Sequence, residues 1–583
     1  MKLRKGRALS KVIKELPRPD AGEAGQHLFA CLGDLLAHYG RISPNHPAIL
    51  APGSESLTYG GLWARTNEIV RELRDLGIGR SDRVAVVLPG GADAAVATIA
   101  VAAGAVCVPL HPGFAADEWR RYFGDLRVAA LLTHADVDSA SRGVAYSLGM
   151  PVIDLLQRSR QVPGAFSLMC PAAPPAVIGE LSAGADDAFI LLTSGSTAQP
   201  KLVPLSQASV CRSAYNAGAA LALESQDRLL NVLPLVHAHG LISGLLTALA
   251  AGSSVVCPPA FDAVAFFGWL TKFRPTWYTA VPPIHRALIS AARRHKRDAR
   301  PSSLRVIRSA SASLPTDVLD ELEGLFGVPV IETYGMTEAA SQIAANPLER
   351  RKPGSVGKPV GVEIAVMDGE GRQLPAGERG EIALKGPTIA RGYDNNEVAT
   401  KSAFRGDWFR TGDLGYMDVE GYLFLLGRIK KADVINRGGQ KVSPAEVERA
   451  LLSHPDVIQA VAFPITHTRL GEDVAVAVVL RAEAKISSQQ LRRFVSEHLA
   501  RFKVPGLIRI VPTIPAGPDG KVIRSELATM LSIATPRSRI ERKAHLAAPR
   551  SETEWQLAKI WADLLELNEV GVDEDVFALG RIP

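Results

Sequence analysis

The stretch Phe189-Ile-Leu-Leu-Thr-Ser-Gly-Ser-Thr-Ala-Gln-Pro-Lys201 decides the reading of this chain. An apolar run suited to a buried strand breaks at Thr193 into a loop of small hydroxylated residues, a glycine and a lysine. Thr193, Ser194, Gly195, Ser196 and Thr197 offer backbone N–H groups and hydroxyls with little bulk, so anionic oxygens can approach closely. Lys201 adds a cation at the far end. The pattern suits phosphate, but it is not the nucleoside-triphosphatase loop, because the G-x-x-x-x-G-K-[ST] spacing is absent. Alone, the loop reads equally as a solvated turn, and its companions along the chain decide.

At 583 residues the chain should hold several cores, on the rough prior of one domain per ~150 residues. Its hydrophobic and charged shares, 47% and 22%, are ordinary for a soluble globular protein. A net charge of +6 over this length does not argue for nucleic acid, although a basic surface favours a polyanionic nucleotide. Cys31, Cys107, Cys170, Cys211 and Cys257 are scattered, with no C-x-x-C pair, so reduced thiols, a cytoplasmic location and no zinc site are expected. Met1 to Asp20 is basic but lacks the apolar core of a secretory signal. No apolar run reaches the ~20 residues of a membrane helix. The longest candidate, Leu241 to Val256, reads as a buried helix followed by a strand.

From His27 to Leu426 the pattern is α/β: β-rich runs such as Val84–Leu88, Ala129–Thr133, Ala188–Thr193, Ser254–Cys257 and Val328–Ile331 alternate with helical segments such as Ala92–Ala103. That alternation predicts largely parallel sheets covered by helices. After Val356 short strands and Gly/Pro turns, for example Gly361–Asp368 and Gly380–Lys385, suggest a smaller β subdomain. A second α/β piece follows Leu425 and ends near Met530, and Ser532 to Arg550 looks like a linker. In the tail, Leu557, Ile560, Trp561, Leu564 and Leu565 share one helix face, with Ser551 as N-cap and Glu554 completing a capping box.

Four further segments carry chemistry. Tyr334-Gly-Met-Thr-Glu338 follows an apolar strand ending at Ile331; a tyrosine can stack on a purine, and Thr337 and Glu338 can reach phosphate oxygens and a hard cation such as Mg²⁺. In Trp408-Phe-Arg-Thr-Gly-Asp-Leu-Gly415, Asp413 on a glycine-flanked turn can accept hydrogen bonds from ribose hydroxyls. The third segment is Gly427-Arg-Ile-Lys-Lys-Ala-Asp-Val-Ile-Asn-Arg-Gly-Gly-Gln-Lys-Val-Ser-Pro444, and the fourth, Pro515-Ala-Gly-Pro-Asp-Gly-Lys521, is a turn that presents one lysine. Each singly has a plain structural explanation; their joint order does not.

With these motifs, residues 30 to 530 resemble the adenylate-forming superfamily of acyl-CoA synthetases, non-ribosomal peptide synthetase adenylation domains and luciferases. Ala102–Leu110, Leu233–Gly240 and Ser309–Leu314 are softer matches, and Leu233–Gly240, Trp277–Pro283 and Gly427–Pro444 look most like small-acid ligases of the oxalyl-CoA synthetase type. The resemblance implies a large α/β adenylation domain at 27–428 after a basic extension at 1–26, and a small mobile α+β domain at 429–530. A linker at 531–550 and a partial carrier domain at 551–583 would complete the chain.

It also implies a two-step reaction: a carboxylate attacks the α-phosphate of ATP, releasing pyrophosphate, and a thiol then displaces AMP. By this analogy Thr193–Lys201 holds the β- and γ-phosphates, Tyr334 lies against adenine, Thr337 meets the α-phosphate and Glu338 the magnesium. Asp413 and Arg428 grip the ribose, and Lys521 stabilises the first transition state. Lys430 is the interdomain hinge, and Gly438 and Gly439 flank the thiol passage. Gly335 and Ser311 complete the expected contacts, to substrate and nucleotide respectively. Ala198 and Leu202 stand where the family has glycines, and Ala198 should stiffen the loop.

Amino-acid-activating relatives carry an aspartate in the Leu235–Gly240 region; here Val236-His-Ala-His239 supplies none, so the substrate should be a small carboxylic acid lacking an α-amine. His237 or His239 is a candidate gate for the acyl site, or a buried structural histidine. Arg308, Ser309 and Ser311 are candidates for a second carboxylate, or for a structural role. The tail, Glu554–Trp561 and Gly571–Gly580, looks like the start of an acyl/peptidyl carrier domain, without its phosphopantetheine serine. The leading expectation is therefore transfer to a carrier phosphopantetheine, in cis or trans, as the initiating unit of an assembly line. CoA as acceptor is the alternative, and a non-catalytic nucleotide-binding scaffold a third reading.

Overall fold

Alternation along the strand Arg83–Val87 shows how the layers arise. Val84 and Val86 face a core shared with helix Ala92–Gly104, whereas Ala85 and Val87 face a second core under Trp119, Tyr122 and Phe123 of helix Ala116–Asp125. The computed structural model describes residues 29–137, 139–159, 161–171, 175–193, 200–294, 303–428, 434–481, 484–515, 524, 527–533, 549, 551–565 and 571.

The first sheet has seven strands, and its centre, Arg83–Val87 with Val106–Pro109, Ala130–His134 and Asp187–Thr193, is parallel. The second has nine, with a parallel centre of Arg228–Asn231, Ser254–Val256, Trp277–Ala280, Val306–Ser309 and Val330–Met336. Its Leu229, Val255, Trp277 and Val306 face the shared core. Leu230, Val256, Tyr278 and Ile307 face a third core under Phe266, Leu288 and Phe326. Helices thus lie outside and between two sheets, in five layers.

Helix Ala92–Gly104 is buried all round and almost entirely of small residues, as a helix between two sheets must be. A Cβ on Gly104 would come 2.8 Å from Val70 Cγ2, so enlargement here costs about 1–3 kcal/mol. The apolar run after His239 is indeed a buried helix followed by the strand Ser254–Val256. Its first part departs from ideal geometry: Leu241–Leu246 is a π-helix between the α-helical Ala238–Gly240 and Thr247–Ala250, and Thr247 Oγ1 donates to the Ile242 carbonyl at 2.8 Å. Among the described residues no helix is long and apolar enough to cross a membrane.

A five-stranded β piece built on Glu363–Met367, Gly380–Lys385 and Trp408–Met417 completes the large lobe. The small lobe has its own five-stranded sheet, centred on Val457–His467 and Gly471–Leu480, and its own core of Val447, Leu451, Val476, Leu491 and Val495. In the tail, helix Glu552–Leu565 forms with Ser551 Oγ accepting from the Glu554 N–H at 3.2 Å. Leu557 and Ile560, on the expected apolar face, are exposed.

Candidate active site

The loop after Thr193 is the connection of a hairpin. Asp187–Thr193 pairs antiparallel with Lys201–Ser206, and Thr193 opposite Lys201 closes its mouth. Ser194, Gly195, Ser196, Thr197 and Ala198 lie outside the described residues. Lys201 Nζ sits 4.3 Å from the centroid of the Tyr393 ring, and the Tyr393 hydroxyl donates to Glu338 Oε1 at 2.9 Å. Glu338 is buried on a 3₁₀ turn, Thr337–Ala339. Tyr393, which sequence reasoning missed, therefore links the loop lysine to the candidate metal ligand. Its neighbour Asp394 anchors it: the carboxylate pairs with Arg83 at 2.7 Å, and the N–H donates to the Leu202 carbonyl at 2.9 Å. The only signal in the sequence was an aromatic flanked by Gly392.

Tyr334 and Asp413, 79 positions apart, meet directly: the phenol donates to Asp413 Oδ2 at 2.5 Å. Two expectations change here. The strand expected to end at Ile331 runs from Val330 to Met336, because Thr333–Met336 pairs antiparallel with Ser341–Ala345. The approach is so close that a Cβ on Gly335 would lie 1.7 Å from the Ser341 carbonyl oxygen; packing alone demands this glycine. Asp413 lies within the strand Trp408–Met417 rather than on a turn, beside Gly412 at φ +71° and where the strand shifts register against Gly380–Lys385. Arg428 is its cross-strand partner along the backbone.

A third group gathers at the ends of the neighbouring parallel strands Trp277–Ala280 and Val306–Ser309. His239 hydrogen-bonds on both sides, Nε2 to Thr279 Oγ1 at 2.6 Å and Nδ1 to Ser311 Oγ at 3.0 Å. Burial, with the positive charge of Arg308 adding to it, pushes its pKa well down, so it is a neutral fixed anchor. His237 keeps accessible surface although protein surrounds it, as a residue lining a crevice does; desolvation, with His111 and Lys441, lowers its pKa. Ser311 is held at φ +70°. The Ser309 hydroxyl is buried without a hydrogen-bond partner among the described residues.

Arg308 is 2% exposed, donates to the Ser243 carbonyl at 3.2 Å and to Gln342 Oε1, and burial alone lowers its pKa to about 9. Among the described residues no carboxylate lies within ion-pair distance of it.

The small lobe closes over this group. The turn Gly438–Gly439, at φ +62° and +93°, joins strands Ile435–Arg437 and Gln440–Val442. A Cβ on Gly439 would come 3.4 Å from Val281, and Asn436 Nδ2 and Lys441 Nζ each donate to the Ser311 carbonyl at 3.4 Å. Lys430 and Lys521 lie outside the described residues.

Among the described residues no three His, Cys, Asp or Glu side chains gather as a metal cluster. Magnesium carried on phosphates needs only one or two protein carboxylates, and Glu338, oriented by Tyr393, is the candidate for one.

Family models for the AMP-binding enzyme and the AMP-binding enzyme C-terminal domain match residues 36–394 and 446–521. The chain is 38% identical to an oxalate–CoA ligase of Arabidopsis thaliana, over 85% of this chain and 98% of that protein. It is 34% identical to a sulfoacetate–CoA ligase of Cupriavidus necator, over 86% and 98%. Two structures of the Bacillus subtilis o-succinylbenzoate–CoA synthetase MenE are similar to different degrees. A double mutant bound to the product analogue OSB-NCoA gives a TM-score of 0.74 at 28% identity, covering 85% of this chain and 98% of that one. The complex with AMP gives 0.59 at 27%, covering 84% and 97%.

Proposed function

The chain belongs to the AMP-binding enzyme family, as an AMP-forming acid–thiol ligase, and from that premise we propose that it joins a small acid bearing a second acidic group to CoA. In the first step the substrate carboxylate attacks the α-phosphate of ATP and pyrophosphate leaves. In the second the CoA thiolate attacks the acyl carbonyl and AMP leaves.

The observation that carries the substrate reading is Arg308. A buried guanidinium without a carboxylate is costly unless an anion arrives with the ligand. The names of the oxalate and sulfoacetate relatives support the same class. Tyr334 and Asp413, already hydrogen-bonded, form the nucleoside seat with Arg428. The Thr193–Lys201 loop and Thr337 take the phosphates, Glu338 the magnesium, and Lys521 the developing charge on the α-phosphate. Bound magnesium would neutralise phosphate charge. Lys430 serves as hinge. Gly438 and Gly439, with no side chains, leave a passage for the thiol toward the crevice lined by His237. The relatives favour CoA over a carrier-bound phosphopantetheine, and the tail beyond residue 551 lies outside both family matches. The five cysteines, all free and buried, suit the cytoplasm.

Carboxylate-dependent ATP–pyrophosphate exchange over mono- and diacids, followed by CoA thioester formation, tests this. Short diacids or sulfo acids should give the strongest response, abolished in Lys521→Ala. Preference for unsubstituted monoacids would overturn the substrate class, and absence of CoA thioester the acceptor.

A further inference from the structure

Away from the acid pocket, the two lobes meet around a buried set of charges. Glu118 and Tyr122 stand one turn apart on helix Ala116–Asp125 of the large lobe. Glu446, on helix Pro444–Leu452, and Lys503, on the 3₁₀ turn Arg501–Lys503, belong to the small lobe. Lys503 Nζ lies 2.5 Å from Glu118 Oε1, 3.0 Å from Glu446 Oε1 and 3.1 Å from the Tyr122 hydroxyl. Arg121 Nη2 reaches Glu446 Oε1 at 2.6 Å, and the Ala500 N–H donates to Glu118 Oε2 at 2.6 Å. Glu118, Glu446 and Lys503 are 2%, 3% and 4% exposed.

Two cations face two carboxylates, so the set is neutral and dry only while the lobes are joined in this orientation. Buried charges contribute little net stability, but they tolerate only the geometry that pairs them. None of these groups belongs to the three clusters of the candidate site.

We propose that Glu118, Lys503 and Glu446 form a latch that selects the lobe orientation in which the Gly438–Gly439 turn covers Ser311, and so favours thioester formation over acid activation. The proposal rests on the function inferred above. Its independent support is that the chain matches the product-analogue form of MenE better than the AMP form of the same enzyme. Any rotation of the small lobe must separate Lys503 from Glu118, so each charge biases the equilibrium toward one orientation. These are positioning residues; none touches a reacting atom.

The two half-reactions separate the latch from general stability. In Lys503→Met and Glu118→Gln, thioester formation from preformed acyl-adenylate should fall at least about tenfold, with ATP–pyrophosphate exchange within about twofold of wild type or above it. Glu448→Gln, which breaks an ion pair with Arg524 inside the small lobe, should leave that ratio unchanged. Equal losses in both half-reactions would make the cluster merely structural and overturn the proposal.

A readout without turnover comes from spin labels on cysteines introduced at the exposed Asp136 and Glu497, selective because all five native thiols are buried. The wild-type distance distribution should have one dominant peak, and Lys503→Met should add a second. An unchanged distribution would overturn the latch. A wild-type enzyme that makes no CoA thioester would instead overturn the functional reading, and the distances would still decide the latch.

Discussion

Two buried cations in this molecule have opposite surroundings. Lys503 is enclosed by two carboxylates and a phenol, and although burial disfavours its charge, Tyr122, Glu446 and Glu118 raise its pKa. Arg308 has only a carbonyl and an amide oxygen, and burial drags its pKa down. A cation the protein neutralises itself serves the fold or its orientation. One left without a counter-charge waits for an anion from outside.

Removing each charge in turn separates the two roles. Arg308→Met should lower kcat/KM for a diacid by about 10²–10³, the loss of a buried charge contact worth roughly 3–4 kcal/mol. Similar losses for a monoacid would refute the assignment. Unfolding should move the other way: Lys503→Met strands Glu118 and should cost about 3 kcal/mol, whereas Arg308→Met relieves a buried charge and should gain about 1–2 kcal/mol net of its hydrogen bonds. Denaturant midpoints of the two variants decide it.

A diacid at 100 times its Kd should stabilise the wild type by about 2.7 kcal/mol and leave the melting temperature of Arg308→Met unmoved. The last effect is on pH. His285, near the same pocket, has its pKa lowered to about 3 by burial. Its unfolded form takes a proton below about 6.5 and the folded form does not, so stability falls with acid, by about 2 kcal/mol at pH 5. Lys503 works in the opposite sense. Its pKa is raised, so its contribution is complete below about 10.5 and is lost only in alkali. Melting curves of the wild type from pH 5 to 8 against His285→Gln isolate the acid limb.

The elements that carry chemistry were legible because glycines and hydroxyl-bearing residues break the apolar pattern at each of them. The hairpin at Thr193, the Tyr334–Glu338 segment and the run around Asp413 all announce themselves in this way. Strand ends were less legible where a later partner prolonged them, as Ser341–Ala345 does for Val330–Met336. Long-range pairs were not legible at all. Tyr393 reaches Glu338 across 55 positions and Lys503 reaches Glu118 across 385, and no local period records either meeting. The same holds for Arg308: the residue could be singled out from sequence, but the lack of a carboxylate beside it is a property of the folded neighbourhood.

The π-helix at Leu241–Leu246 has its own consequence. One surplus residue in a buried helix acts as a phase offset: it turns everything before it by about 100° relative to everything after. His239 stands before the offset and the packed Thr247–Ala250 turn after it. Deleting a single residue between them would therefore restore an ordinary helix and swing the histidine away from Thr279 while the sheets stayed in place. In this pocket, a change of length by one is a change of direction.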